Sequence, residues 1–348
     1  MTLILRPASL SEDRQELIGL LERNLPGMPM RAHFPWRHEG NPAGPGWCWA
    51  LCDRQSGIIC AMTSVFPRRM FLDGRLISGG QVGEFAVDSA YRSLGPAVML
   101  QRATFQLVDS GVLALCYDCP PHSRGMSTFV RLGMRPSCEV TRYALLLRSD
   151  EVLRTRIGKG VWTKPVIAAA NLLLRIRRTP RRIAELEVCR LDGMFGEEFT
   201  RLDKAVSSSG TIRTSRAADL LNWAYRKRSG VKFEVLVARR KGELLAFLAF
   251  IVYGDKRAAI FDVFGLELAE TGPALLEATI EICRREGIIC LQGYCSETSA
   301  LKPLFEAAGF RPRERAARVV SYVNSGELAA SILTSGSPWP VGQAEVTV

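Results

Sequence analysis

The sequence predicts an α/β protein built as two mixed-sheet domains in tandem, each with helices flanking a central sheet. Three observations predict this: an internal repeat, a strand–turn–helix junction in the first copy, and a length of 348 residues, about twice an ordinary domain. The repeat aligns GPAVMLQRATFQLVDSGVLALCYDC (95–119) with GPALLEATIEICRREGIICLQGYC (272–295) across one single-residue gap. Beyond the gap, Gly111 and Gly133 are spaced as Gly287 and Gly309 are, and RLGMRP and AAGFRP close the two copies. Upstream, WALCDRQSGIICAMTSVF (49–66) parallels VLVARRKGELLAFLAFIV (235–252), with Trp36 and Trp223 ahead of them. The period is too long for a solenoid and reads as domain duplication. The expected divisions are a first domain at 1–147, a basic helical linker at 148–189, a second domain at 190–325 and a tail at 326–348.

Each copy is expected to run helix, strand–turn–strand, central strand, loop, helix, strand, helix and final strands. In the first copy the central strand ends at Glu84–Val87, with aromatic and β-branched residues. Val98, Leu100, Ala103, Leu107 and Val108 then recur at helical spacing. The turn between them is basic and contains glycine. Backbone N–H groups at a helix start form an anion site. Gly95 permits close approach, and the small Ala97 keeps side-chain atoms out of the way. Pro96 suits the first helical position but supplies no N–H. Arg92 adds a charge-assisted contact. The second copy reads LAETGPALLEA, with Ala269 where Arg92 stands and Glu270 nearby. A carboxylate there repels an anion, so the anion site is expected in the first domain alone.

Composition bounds the remaining possibilities. A chain 47% hydrophobic and 23% charged has the balance of a soluble protein with a sizeable core. The start, MTLILRPASLSEDRQ, does not read as a secretory signal, and no apolar run reaches the ~18 residues of a membrane span. A cytoplasmic location is therefore expected. Ten cysteines follow no framework spacing and read as reduced thiols. Cys116–Cys119 is a lone C-x-x-C without a second pair, so no metal is expected. Of the net charge of +11, residues 148–190 carry +7, from 11 Lys/Arg against 4 acids. That segment also holds an apolar stripe. It reads as an interdomain helix with solvated arginines, or as a surface for peripheral contact with an anionic lipid, nucleic acid or partner. No base-stacking motif accompanies it, so specific nucleic-acid recognition is not expected.

The stretch VDSAYR running into Arg92-Ser93-Leu94-Gly95-Pro96-Ala97 resembles the Arg/Gln-x-x-Gly-x-Gly/Ala fingerprint of the GNAT acyltransferases. Residues 37–53 and 220–230 look like matching stretches of a bacterial two-domain branch of that superfamily. The resemblance implies acetyl-CoA, or another acyl-CoA, as co-substrate. Its pyrophosphate would lie on the Arg92–Ala97 backbone, and its acyl-pantetheine arm along Phe85, Ala86 and Val87. Glu84 would serve as base near the acceptor; the residues alone also allow a strand glutamate facing solvent or paired with Arg69. The tyrosine that often protonates the leaving thiolate in this family would fall in the helix at 123–133, where Phe129 stands. Tyr117 or Tyr143 would substitute. Cys119 and His122 suggest a nucleophile and base but lack a third partner. His33 and His38 suit packing or an acceptor pocket rather than metal ligation. The implied activity is N-acyl transfer to a small amine, amino sugar or amino acid. The alternatives are a transferase resembling the tandem enzymes that use aminoacyl-tRNA, and a non-catalytic CoA-binding scaffold.

Overall fold

A computed structural model of the chain describes residues 2–25, 27, 29–120, 129–149, 169, 185–206 and 212–324. These fall into two compact units. The first draws on Met1–Glu139, Ser207–Gly230 and Ala317–Trp339, the second on Val140–Val206 and Val231–Ala316.

In the first unit the sheet runs β1 (Leu3–Pro7), β2 (Trp47–Asp53), β3 (Ile59–Leu72), β4 (Arg75–Val87), β5 (Leu115–Asp118) and then the end of β13 (Arg311–Val323). Only β4 and β5 pair in parallel; the other neighbours are antiparallel. Period-two alternation divides the strand side chains between two apolar layers. Cys48, Ala50, Met62 and Ala86 meet α1 (Arg14–Asn24) and α2 (Met30–His38) on one face. Ala61, Val65, Val82 and Cys116 lie on the other face, with Leu100, Phe105 and Val108 of α3 (Leu94–Asp109). The predicted helical positions thus form α3, with Leu100, Ala103, Leu107 and Val108 buried.

The second unit repeats the plan. Its order is β7 (Leu186–Arg190), β9 (Phe233–Arg240), β10 (Glu243–Val252), β11 (Arg257–Gly265), β12 (Cys290–Ser296) and the end of β6 (Arg135–Leu146). Again only the pair β11–β12 is parallel. Leu275, Leu276, Ile280 and Cys283 of α6 (Leu268–Arg285) pack on this sheet together with Phe305 of α7 (Leu301–Ala307).

The divisions differ from those expected at 147 and 190. The last strand of each sheet comes from the other repeat: β13 lies beside β5, and β6 lies beside β12. β8 (Ile212–Thr214) and α5 (Ala218–Tyr225) also belong to the first unit, where β8 pairs with β3. β7 begins at Leu186, inside the stretch read as linker. β6 and β13 both follow a glycine with Arg-Pro and both mix polar with apolar residues, so no local signal chooses which sheet each completes. Most of the 148–189 linker and the 326–348 tail lie outside the described residues. No described helix is long and apolar enough to cross a membrane.

Candidate active site

A β-bulge in β4 organises the site. The register pairs Ser64 with Gly83 and Met62 with Ala86, so Glu84 and Phe85 together oppose Thr63. Glu84 takes up the extra residue at φ 52°, a left-handed conformation costing on the order of 1–3 kcal/mol outside glycine. Regular alternation would aim Glu84 at the apolar α3 layer. The bulge instead puts Gly83 and Glu84 on the α2 face. A Cβ at Gly83 would lie 3.3 Å from Arg37 Nη2 and from Phe66. Phe85 turns to the α3 side, its ring 6.1 Å from that of Phe129.

On the α2 face, His38 Nε2 and Glu84 Oε2 are 2.6 Å apart, with side chains 0% and 2% exposed. Burial pushes the Glu84 carboxyl upward, but bonded His38 and nearby Arg37 outweigh burial and hold it below the usual carboxylate range. An ionised carboxylate only accepts, so His38 Nε2 carries the donated hydrogen. Phe34 stacks on the imidazole at 4.0 Å and Phe66 meets it edge-on at 4.9 Å, fixing the ring. Glu84 Oε1 and His38 Nδ1 are buried without a hydrogen-bond partner among the described residues.

Arginines and tryptophans surround this pair. Arg37 Nη1 lies 4.0 Å from Glu84 Oε1, and its guanidinium covers the Phe66 ring at 4.0 Å. Burial lowers the Arg37 pKa to about 10, and neighbouring Arg68 and Arg228 press it the same way against Glu84. Arg68 bonds Gln81 and lies 5.3 Å over the Trp223 ring, while Arg228 lies 5.2 Å over Trp36. The two indoles stack at 4.6 Å between them. His33 packs 5.0 Å from Trp36, and burial, then Arg37, lowers its pKa to about 4. Tyr117 is buried beside Gln81 in the β4–β5 register, on the same face as Glu84 and within electrostatic reach of Arg37.

The second part of the site is where β4 leaves β5. Their pairing covers only Gly79–Gln81 and Leu115–Tyr117. From Val82 to Val87, β4 has β3 on one side and, among the described residues, no strand on the other. Phe85, Ala86 and Val87 therefore lie on an edge of β4 with no paired strand among the described residues. The chain then turns through Ser89–Tyr91 into α3, capped by Ser93 without a side-chain bond and without an acid in the first turn. The first N–H groups of a helix have no acceptor within it, which leaves those of Ser93, Leu94 and Gly95 pointing outward. Pro96 is the third helical residue rather than the first, and still removes one donor of that turn. A Cβ at Gly95 would meet only Ser93 Oγ, at 4.0 Å, so packing does not require glycine there. Arg92 braces the turn, donating to Val87 O at 3.1 Å and Asn24 Oδ1 at 2.9 Å.

The matching helix start in the second unit is acidic. Glu267 caps α6 and Glu270 stands in its first turn, and Arg240 bonds both, at 2.6 and 2.8 Å.

The other residues singled out in the sequence are placed as follows. Glu84 neither faces solvent nor pairs with Arg69, which bonds Asp219. Tyr143 packs against Phe305 in the core of the second unit. Burial and Asp118 push the Cys119 thiol up to about 12, which disfavours the nucleophilic thiolate; His122 lies outside the described residues. Phe129 is buried in the α3 layer. Among the described residues no three His, Cys, Asp or Glu side chains cluster closely enough to hold a metal. Arg37, Arg68 and Arg228 were not anticipated. The signal available was the WRHEG run at 36–40, where two buried-type rings flank an arginine.

No protein-family model and no curated protein matches the sequence. Solved structures do match. A conserved protein of Enterococcus faecalis V583 described as a probable N-acyltransferase superposes with TM-score 0.68 at 11% identity, over 93% of this chain and 72% of that one. A GCN5-related N-acetyltransferase from Anabaena variabilis gives 0.65 at 14%, over 92% and 73%. Saccharomyces cerevisiae N-myristoyltransferase with bound myristoyl-CoA gives 0.56 at 11%, over 92% and 82%. The fold is thus that of the GCN5-related N-acetyltransferases.

Proposed function

We propose that the first unit binds an acyl-CoA, acetyl-CoA in the simplest case, and transfers the acyl group to a small amine. One observation carries this reading. The N-terminus of α3 has no acid in its first turn and lies beside a length of β4 that has no second strand neighbour among the described residues, whereas its counterpart in the second unit carries Glu267 and Glu270. The pyrophosphate of coenzyme A would accept from the N–H groups of Ser93, Leu94 and Gly95. The pantetheine arm would lie along Phe85–Val87 as an added strand, with strand N–H groups polarising the thioester carbonyl. The acceptor nitrogen forms its bond to the acyl carbon as the C–S bond breaks. The ammonium proton passes to the Glu84–His38 pair through Glu84 Oε1, the oxygen without a hydrogen-bond partner among the described residues, and Tyr117 offers a hydroxyl proton to the thiolate.

Calorimetric titration of acetyl-CoA into the protein tests the reading. One equivalent bound by the wild type and by Glu270→Gln supports it, and absence of binding to the folded protein overturns it. A non-catalytic CoA-binding role is the second reading, favoured by Phe129, which brings no hydroxyl to the place expected of the family's tyrosine. Binding without thiol release on any amine would select it.

A further inference from the structure

Arg37 lies beside the ion-paired carboxylate of Glu84 in the first unit, Arg68 and Arg228 are within electrostatic reach of Arg37, and each of the three guanidinium groups is laid over an aromatic ring. Stacking fixes a guanidinium plane while leaving its edge for in-plane hydrogen bonds. Like charges held together in a buried setting raise the free energy of the empty protein, and an anion placed among them relieves it. Arg37 is the centre of the group. Its Nε is buried without a hydrogen-bond partner among the described residues, and its nearest carboxylate oxygen, Glu84 Oε1, stands at 4.0 Å. That oxygen is likewise unpartnered, as is Nε2 of His33, which is 8% exposed and within electrostatic reach of Arg37, Arg228 and Glu84. The neighbourhood thus offers a cationic fork beside a carboxylate oxygen that has no hydrogen-bond partner among the described residues. A molecule that carries an amine and, a few bonds away, an oxyanion matches both at once.

We propose that the acceptor is an amine bearing an oxyanion, a carboxylate or a phosphate, held by Arg37 with Arg68 and Arg228 while its nitrogen faces Glu84. The inference rests on the acyltransfer reading for the word acceptor; the anion site itself does not, and can be tested without coenzyme A.

The stacked Trp36 and Trp223 supply an optical probe of the site. Tryptophan emission is followed while matched pairs are titrated into the cofactor-free protein: amino acids against their carboxamides, and amino sugars against their phosphates. Saturable change is expected with the charged member of at least one pair, and a weaker response with its neutral twin. The carboxylate and phosphate arms separate the two sources of charge. Arg37→Gln should weaken binding of the charged member about tenfold to a hundredfold, the size of one or two charge-assisted bonds. Arg228→Gln, at a half-buried position, gives the same direction should Arg37→Gln not fold. Arg31→Gln, 75% exposed on the same helix, should bind as the wild type does. Equal response to charged and neutral twins, or none to any charged member, overturns the proposal. Acetyl-CoA binding measured separately shows whether the acyltransfer reading stands or falls with it.

Discussion

Trp36 and Trp223 occupy matching places in the two sequence repeats and stack at 4.6 Å, 15° from parallel. Each indole N–H donates to the other's backbone carbonyl at 2.9 Å. The exchange joins α2 to α5 inside the first unit, and it sets the aromatic floor on which Arg68 and Arg228 lie. Truncation should therefore be costly. Trp223→Ala is expected to lose about 3–5 kcal/mol, and Trp223→Phe about 1–3 kcal/mol, for the buried carbonyl left without its donor. Urea unfolding followed by far-ultraviolet circular dichroism measures both.

The His38–Glu84 pair predicts a second, coupled effect. Replacing His38 with Phe removes the 2.6 Å partner of a buried carboxylate, a loss expected at about 3–5 kcal/mol. Glu84→Gln should cost less, because the amide needs no counter-charge. The double variant should be more stable than the sum of the two losses predicts, by at least ~1 kcal/mol. Strict additivity in the same unfolding assay would contradict the pairing.

His33 predicts an acid limb. Its folded pKa, near 4, lies below the ordinary histidine value of 6.5, so the unfolded chain binds more protons between those values. Stability contributed by the neutral ring is present above about pH 6.5 and lost as pH falls toward 4. His33→Gln should flatten that limb in melting temperatures measured across the window.

Asp118 predicts the opposite slope. Burial pushes its carboxyl up to about 7 from an ordinary 3.8, with Arg37 and the Cys119 N–H acting against burial. The folded chain then binds the extra proton, so stability declines as pH rises from about 4 to about 7. Asp118→Asn should raise the melting temperature at pH 8 and change it little at pH 4.

Much of the fold was legible because it is local. The duplicated strand–turn–strand words became β2–β3 and β9–β10, and the glycine-containing turn at 92–97 became the start of α3. What was not legible depends on distance or on a single inserted residue. Nothing in β6 or β13 says which sheet it will complete, because both carry the same Arg-Pro start and a mixture of polar and apolar residues. Glu84 was identified as a site candidate, yet its partner was not. The bulge that turns it toward α2 is a register event between β3 and β4, invisible in β4 alone. The same holds for Arg37: a surface arginine and a buried one look alike until the ring beneath it, here Phe66, is known.

Gly95 separates helix stability from cofactor binding at the start of α3. No contact requires glycine at this helical position, and Ala should stabilise the helix there by about 0.5–1 kcal/mol. A Cβ would nevertheless project beside the N–H groups assigned to the pyrophosphate. The measurement is acetyl-CoA affinity of Gly95→Ala beside its melting temperature. The expected variant is at least as stable as the wild type and binds acetyl-CoA about tenfold or more weakly. Unchanged affinity in the stabilised variant would contradict it.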